Sequence, residues 1–293
     1  MPPIKPLKDS AVDLSKQLID DLVARALAED LGTGDLTTLA TISATTQAEA
    51  AFVFREPGVL CGLPVVRAVF AATDPTLVLT TLVEEGSPIA AGQPVATIRG
   101  AARGLLSGER VALNLLQRLS GIATMAARYV AAVAGTRVRI LDTRKTTPGL
   151  RAFEKYAVRV GGATNHRFGL YDGVMLKDNH LAILAAEGLG LGAAVRRARA
   201  NVGPMVCVEV EVENVEQAAE AAEAGADLIL LDNMPPDQLQ AAVAVIAGRA
   251  RTEASGGITL ETIGAVAASG VDFISVGALT HSARALDIGL DMR

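Results

Sequence analysis

The sequence predicts an α/β protein built from two regions with different patterns. Its 293 residues are 50% hydrophobic and 20% charged, a composition typical of a compact globular protein. Residues up to about 105 show irregular short strands, whereas from Val138 onward a β-branched run, a glycine-rich or polar turn and an alanine-rich helix repeat. The length fits one large domain or two ordinary ones, at about 100–200 residues per domain.

The first region is predicted to form an α+β layer. Residues 14–29 have helical spacing, and short strands are expected at residues 48–54, 77–83 and 95–98, separated by Pro and Gly. The segment EEGSPIAAGQPVATI resembles the turn-and-strand pattern of biotinyl or lipoyl carrier folds, but it has no lysine to modify. We therefore interpret it as a structural turn. A long helix is predicted at residues 108–133, where the pattern changes.

The second region is predicted to be a parallel β/α array. Strands are expected at residues 138–142, 172–176, 205–212, 227–231, 252–256 and 272–276, with helices at 214–225, 235–248 and 259–270. Parallel strands need crossovers, and helical crossovers of this length fit either a β/α barrel or a doubly wound sheet.

Two details favour the barrel. The valines of MVCVEVEV share one face of the strand, where outer helices would cover them, and Glu209 and Glu211 share the inward face. The last two strands end in the small-residue turns ASGGI and SVGAL. Barrels commonly bind phosphate at this position through backbone N–H groups.

Charge and cysteine content argue against several classes of protein. A net charge of -5 and a pI near 5.3 disfavour general binding to nucleic acid or to an anionic membrane. Cys61 and Cys207 lie far apart and show no metal-ligand spacing. The N-terminal residues lack an apolar signal segment, and no run approaches the roughly 18 apolar residues that span a bilayer. We expect a cytoplasmic protein with no membrane or nucleic-acid partner.

A basic cluster is predicted where two strands end and in the turn between them. Its members are Arg144, Lys145, His166, Arg167 and Lys177. Residues just past the C-terminal ends of barrel strands converge on one mouth. Arginine forks match carboxylate and phosphate groups, so the cluster favours a small polyanion as ligand over scattered surface ion pairs.

A carboxylate pair, Glu211 and Asp232, is expected to face this cluster. Both residues end strongly apolar strands, where an unpaired carboxylate is costly, so each needs a cation, a metal or ligand hydroxyls. Mg²⁺ or ribose hydroxyls suit such a pair, and so do the neighbouring lysines. The glycines of GLGLG at 188–192 depart from the dinucleotide-binding spacing, and we discard that interpretation.

The ordered motifs resemble the quinolinate phosphoribosyltransferase family, also called nicotinate-nucleotide pyrophosphorylase (carboxylating). The resemblance covers nearly the whole chain. It rests on EDLGTGDLTT, SGERVALNLLQRLSGIAT, DTRKTTPGLRAFEKYAV, GGATNHRFGLYDGVMLKDNH, VEVEVEN, LILLDNM, EASGGIT and ISVGALTHS.

The resemblance implies a fold, an assembly and a reaction. The fold is an N-terminal α+β sandwich domain at 1–115, to which a tail at about 281–293 returns, and an incomplete β/α barrel at 116–280, as in type II phosphoribosyltransferases. The assembly is a homodimer or a hexamer whose sites are completed by neighbouring subunits. The enzyme would transfer phosphoribose from phosphoribosyl pyrophosphate to quinolinate with Mg²⁺. Decarboxylation then yields nicotinate mononucleotide, pyrophosphate and CO₂ for NAD biosynthesis.

The resemblance also assigns site residues position by position. The basic cluster matches the site for quinolinate carboxylates and pyrophosphate, and Thr143 adjoins it. Arg110, in GERVALN, matches the arginine that the partner subunit contributes. The carboxylate pair matches the groups that hold the ribose and, directly or indirectly, Mg²⁺. Glu211 is preferred over Glu209 because its distance along the chain from the LLDN aspartate matches the family.

The remaining assignments concern the 5′-phosphate and the chemistry. Two segments, which we call the phosphate turns, match the cradle for that phosphate. They are Ser255, Gly256 and Gly257, and Gly277 and Ala278. The predicted catalytic residues are Lys145, Lys177, Glu211 and Asp232.

Three other functions remain open from the sequence. One is a homologue of the same fold associated with molybdate-transport operons. Another is a barrel aldolase that forms a Schiff base on Lys145 or Lys177, although Lys145 adjoins Arg144 and lacks the apolar surroundings that such a lysine needs. The third is a non-catalytic protein that binds a phosphorylated metabolite.

Overall fold

The computed structural model describes residues 14–293, and the chain divides into two compact units. Among the described residues, the first unit contains 14–124, together with Ala152–Val160 and Ala283–Arg293. The second contains Met125–Arg151 and Gly161–Ser282. Within residues 14–293, no helix is long and apolar enough to cross a membrane.

The first unit combines helices with a four-stranded antiparallel sheet and a two-stranded sheet. Its elements are α1 (Lys16–Leu31), α2 (Leu36–Thr41), β1 (Gln47–Phe54), β2 (Gly58–Val59), α3 (Leu63–Thr73), β3 (Val78–Thr81), β4 (Pro88–Ile89), β5 (Pro94–Ala101), most of α4 (Ala102–Ala132) and of α5 (Arg151–Val160), and β12 (Ile288–Met292). The part of α4 after Thr124 and the first residue of α5 belong to the second unit. The strand order in the larger sheet is β12-β1-β5-β3, so the C-terminal strand pairs with β1. The second sheet pairs β2 with β4.

Local sequence explains why these elements form and pack. Ser15 caps α1 by accepting a hydrogen bond from the amide of Leu18 at 3.2 Å, and Ile19, Leu22, Val23 and Leu27 are its buried face. The rings of Phe52 on β1 and Phe70 on α3 meet edge-on with centroids 6.0 Å apart. Helix and sheet therefore share one core in this unit.

Two features of the first unit differ from the expected organisation. The boundary expected between residues 115 and 116 falls inside α4, which contains no proline and continues to Ala132. Residues 152–160, expected in the barrel domain, instead belong to the first unit. Helix α5 is held there by fully buried Glu154, which pairs with Arg118 at 2.7 Å.

The second unit is a six-stranded parallel sheet with helices between its strands. Its further elements are β6 (Arg139–Leu141), β7 (Val174–Leu176), α6 (Asp178–Ala186), α7 (Leu191–Ala200), β8 (Val208–Val212), α8 (Val215–Glu223), β9 (Leu228–Asp232), α9 (Pro236–Ile246), β10 (Arg251–Ser255), α10 (Ile263–Ala268), β11 (Phe273–Ser275) and α11 (Ala278–His281).

The strand order shows an incomplete barrel, which confirms the predicted fold class. The order is β6-β11-β10-β9-β8-β7, so strands follow the chain in sequence and the first strand pairs with the last. In a doubly wound sheet the order of the strands would instead reverse near the middle of the sheet. Among the described residues β6 and β7 are not paired with each other, and beside β6 the chain makes only a single bridge between Leu141 and Thr164.

The valine and glutamate residues of β8 show how the barrel wall is built. Val208, Val210 and Val212 are at most 1% exposed. Glu209 lies on the opposite face and is also buried, at 2% exposure. The alternation therefore places carboxylates inside the barrel, where they need polar partners.

Candidate active site

A pocket of about 850 Å³ lies at the C-terminal ends of the barrel strands. Every predicted site residue except Arg110 lines it: Thr143, Arg144, Lys145, His166, Arg167, Lys177, Glu211, Asp232, Ser255, Gly256, Gly257, Gly277 and Ala278. The strands are parallel, so the segments that follow them meet at the same edge of the sheet.

Arg110 belongs to the first compact unit. It lies on α4, and its side chain is exposed. Its expected role depends on a neighbouring subunit, so it stays a prediction.

The basic cluster places two guanidinium groups close together. Burial, and then the charge of Arg144, lower the pKa of Arg167. Arg167 donates to the carbonyl of Gly173 at 2.8 Å, whereas the buried Nε of Arg144 has no hydrogen-bond partner among the described residues. Crowded like charges and a buried donor without an acceptor are typical of an anion site.

Lys177 connects the basic cluster with the carboxylate pair. The ammonium of Lys177 forms an ion pair with Glu211. Burial, and then the Glu211 carboxylate, raise the pKa of Asp232, while Asn233 and Lys177 act in the opposite direction. The two lysines otherwise differ, because Lys145 is exposed.

Glu211 and Asp232 also fit a hard divalent cation. They offer carboxylate oxygens in one pocket, and their mutual repulsion raises the pKa of Asp232. A Mg²⁺ ion prefers such oxygen ligands and would relieve that repulsion.

The ring of His166 contacts two buried glutamates. Its Nε2 lies 3.2 Å from Glu209 and 3.4 Å from Glu253, and its backbone amide donates to Asp142 at 2.8 Å. Burial lowers the pKa of His166, but the hydrogen bonds with Glu209 and Glu253 outweigh it and raise the pKa to about 10. Two buried carboxylates therefore face Nε2 and favour the charged form of the ring.

The same three residues resemble a metal-binding set by distance, since their ligand atoms lie within 4.8 Å of one another. The hydrogen bonds of the ring disfavour that interpretation. Nδ1 of His166 accepts from the amide of Arg167 at 2.7 Å, so Nε2 carries a proton even in the neutral ring. Nε2 then donates to Glu209, faces Glu253 and has no lone pair for a metal.

The phosphate turns depend on glycine at two positions. Gly256 has φ +97 and Gly257 has φ +59, backbone conformations that L side chains rarely adopt. A Cβ at Gly277 would lie 3.0 Å from Cδ of Lys145. The chain can therefore bring backbone N–H groups close to a ligand at these turns.

Sequence reasoning missed further residues of the pocket. They are Met175, Asp178, Leu230, Asn233, Glu253, Ile258, Thr259, Ser275, Val276 and His281. Asp178, Asn233 and His281 stand in the motifs KDNH, LLDN and THS, beside residues that were singled out. Glu253 carried a weaker signal, as the acidic residue of the short strand β10.

Comparisons with known proteins agree with this architecture. The family described as quinolinate phosphoribosyl transferase, C-terminal domain, matches residues 122–291, and its N-terminal domain family matches residues 35–120. The chain is 47% identical over 264 residues to a protein of Bacillus subtilis (strain 168) named probable nicotinate-nucleotide pyrophosphorylase [carboxylating], covering 90% of each chain. It is 48% identical over 279 residues to the Mycobacterium leprae protein named nicotinate-nucleotide pyrophosphorylase [carboxylating], covering 93% of this chain and 96% of the other.

Solved structures show the same fold. NadC from Streptococcus pyogenes superimposes with a TM-score of 0.91 at 45% identity, covering 96% of this chain and 99% of that one. The nicotinate-nucleotide pyrophosphorylase from Francisella tularensis gives a TM-score of 0.91 at 35% identity, covering 97% and 99%. Matched domains, identity and fold together show that the chain belongs to the quinolinate phosphoribosyltransferase family.

Proposed function

We propose that this protein transfers phosphoribose from phosphoribosyl pyrophosphate to quinolinate and releases nicotinate mononucleotide, pyrophosphate and CO₂, a step in NAD biosynthesis. The observation that carries the proposal is one pocket with a basic cluster on one side and a carboxylate pair and phosphate turns on the other. This arrangement suits a dicarboxylate and a phosphorylated sugar bound side by side.

The basic cluster binds the anionic parts of both substrates. Arg144 and Arg167 bind the quinolinate carboxylates, and the unpartnered Nε of Arg144 supports this assignment. His166 joins this cluster, and the two glutamates beside Nε2 favour the charged form of its ring. Lys145 and Lys177 bind the pyrophosphate, whose charge increases as it leaves.

The carboxylate pair acts on the ribose. When the C1′–O bond to pyrophosphate breaks, positive charge develops on the ribose, and Glu211 and Asp232 stabilise it. The ring nitrogen of quinolinate then forms the new bond to C1′. When bound beside this pair, Mg²⁺ would supply positive charge that neutralises the diphosphate.

Decarboxylation follows on the glycosylated ring. The bond between C2 and its carboxylate breaks, CO₂ leaves, and the electron pair stays on C2 next to the cationic nitrogen. A proton then adds to C2. The cationic ring stabilises this carbanion, so the residues need only hold the ring in place and exclude competing reactions.

The aldolase alternative fits the pocket less well. A Schiff-base lysine must be desolvated and uncharged. Lys145 is exposed, and Lys177 forms an ion pair with Glu211.

We also propose that the protein works as a homodimer to whose sites Arg110 contributes across the interface. Helix α6 has an apolar sequence but no buried residue, and Ile183 on it is 64% exposed. Exposed apolar surface of this kind is typical of an interface between subunits. Light scattering should show a dimer for the wild type and a monomer for Ile183→Glu. A hexamer would extend the proposal, whereas an active monomer would contradict it.

The proposed location is the cytoplasm. Both cysteines are free thiols, which suits a reducing compartment. Cell fractionation tests the assignment, which recovery of the protein outside the cytoplasm would contradict.

An assay with quinolinate, phosphoribosyl pyrophosphate and Mg²⁺ tests the reaction, with nicotinate as the control substrate. We expect nicotinate mononucleotide from quinolinate alone. Arg144→Gln should raise the KM for quinolinate. The control is Arg139→Gln, which changes an exposed arginine at the start of β6 and should leave this KM unchanged. A folded dimer that makes no product would exclude the transferase and favour the operon-associated homologue.

A further inference from the structure

Asn233 has an unusual backbone conformation directly beside the carboxylate pair. It follows Asp232, the last residue of β9, and has φ 55. Among residues 14–293, the other non-glycine residue with positive φ is Ala247, which ends α9. Asparagine tolerates this conformation better than most residues, yet the conformation still costs free energy.

Three contacts hold Asn233 in this conformation. Its backbone amide donates to the carbonyl of Ser255 at 2.9 Å. Its side-chain Nδ2 donates to Oδ2 of Asp232 at 2.6 Å. Asn233 therefore joins the end of β9 to the first phosphate turn, which follows β10.

The third contact explains why the phosphate turn has glycine at position 256. A Cβ on Gly256 would lie 2.1 Å from Oδ1 of Asn233 and 3.0 Å from its backbone nitrogen. Distances this short force a rearrangement, so the amide oxygen of Asn233 fills the space that the missing side chain leaves. Because Nδ2 faces Asp232, Oδ1 faces the turn.

We propose that Asn233 is a positioning residue that sets the Asp232 carboxylate and the Gly256 turn relative to each other. The hydrogen bond from Nδ2 of Asn233 holds Oδ2 of Asp232. Oδ1 of Asp232 takes no part in this bond. One side chain thus fixes the distance between the group that holds the ribose and the turn that holds its phosphate. This inference rests on the proposed function, in which Asp232 and Ser255–Gly257 bind phosphoribosyl pyrophosphate.

A purely structural role makes a different prediction. If Asn233 only shaped the turn before Pro235, its replacement would lower the melting temperature and affect both substrates alike. A positioning role affects the phosphorylated substrate selectively, because quinolinate is assigned to the basic cluster on the other side of the pocket.

The first test compares Asn233→Asp with the wild type. Aspartate has the same shape but lacks the donor and places a second negative charge beside Asp232. We expect the KM for phosphoribosyl pyrophosphate to rise about 10- to 100-fold, the usual cost of losing a hydrogen bond to a charged group. The KM for quinolinate should change less than about 2-fold. Asn201→Asp is the control, since Asn201 donates a similar bond of 2.7 Å to the carbonyl of Arg197 outside the pocket.

The second test uses Asn233→Gly, Gly256→Ala and the double variant. Glycine keeps the positive φ of residue 233 without the side chain, so the KM for phosphoribosyl pyrophosphate should again rise. Gly256→Ala should raise it further because Cβ meets Oδ1 of Asn233. In the double variant the clash with Oδ1 is gone, although the φ of +97 and the 3.0 Å approach to the backbone nitrogen of residue 233 remain. Its KM should therefore stay below the product of the two single effects.

Two results would overturn the inference. One is an equal change in both KM values for Asn233→Asp, together with a lower melting temperature. The other is full additivity in the double variant. Asp232→Asn separates these from failure of the proposed function: if that variant uses phosphoribosyl pyrophosphate normally, the site assignment itself is wrong.

Discussion

Replacement of Glu253 by glutamine should lower the pKa of His166 while leaving the shape of the site unchanged. In the wild type this pKa is raised to about 10, because hydrogen bonds from the ring to Glu209 and Glu253 outweigh the effect of burial. At about 1.4 kcal/mol per pH unit, the shift from 6.5 favours the charged ring by roughly 5 kcal/mol. Charging Nδ1 also breaks its bond with the Arg167 amide, which offsets about 1 kcal/mol.

The two glutamates lie at similar distances from Nε2, 3.2 and 3.4 Å, so each supplies a comparable share. Because burial opposes the charge, the two shares together exceed the net shift, and Glu253→Gln should therefore lower the pKa of His166 by more than half of the shift from 6.5 to about 10. Because the pKa of His166 is higher in the folded than in the unfolded protein, protonation of the ring stabilises the fold. This contribution is fully present below pH 6.5 and is lost as the pH rises to about 10. The variant should lose it over a narrower range that ends at lower pH.

Nitrogen NMR of labelled histidine measures this pKa directly, because the chain has 3 histidines. The His166→Asn variant identifies the signal, and Glu216→Gln, which changes an exposed glutamate on α8, is the control. Titration of wild-type His166 near 6.5 would refute the reasoning. So would an unchanged pKa in a folded Glu253→Gln protein.

The other predictions concern turnover, stability and metal dependence. Lys145→Ala and Lys177→Ala should each lower kcat about 100-fold or more with an unchanged circular dichroism spectrum. The control Lys16→Ala, on an exposed face of α1, should leave kcat unchanged. Wild-type turnover in either site variant would count against the proposed role of that lysine. Arg118→Leu should lower the free energy of unfolding by about 3 kcal/mol, because it removes the cation paired with fully buried Glu154, and a loss below about 1 kcal/mol in urea denaturation would contradict this. Removal of Mg²⁺ with a chelator should abolish turnover reversibly without changing the melting temperature, and activity that persists would exclude a required metal.

The fold class was predictable because hydrophobic patterning is local. The β-branched runs and alanine-rich helices of the second region alternate at a spacing that only a parallel β/α architecture accommodates. Helix α5 was not predicted, and neither was its membership of the first unit. Its place depends on the pair between Glu154 and Arg118, residues far apart in sequence, and no local pattern reports such a contact.

The candidate site was predictable where charge interrupts an apolar run at a strand end. Lys177, Glu211 and Asp232 all stand at such points, and the structure brings them into one pocket. Glu209 and Glu211 illustrate the limit. Both point into the barrel, but Glu211 lines the pocket whereas Glu209 contacts His166. The alternation of residues along β8 does not predict which of the two glutamates lines the pocket.

The sequence by itself determined the alternation of strands and helices, the glycine turns and the residue types available for chemistry, because each depends on neighbours along the chain. Only the tertiary structure decided which of these residues share an environment. The pKa of His166 depends on carboxylates from two different strands, β8 and β10, and the restraint on Asp232 depends on Asn233, which follows β9, meeting the turn after β10. Protonation and side-chain orientation respond to distances of a few ångströms, and those distances exist only once the barrel has formed.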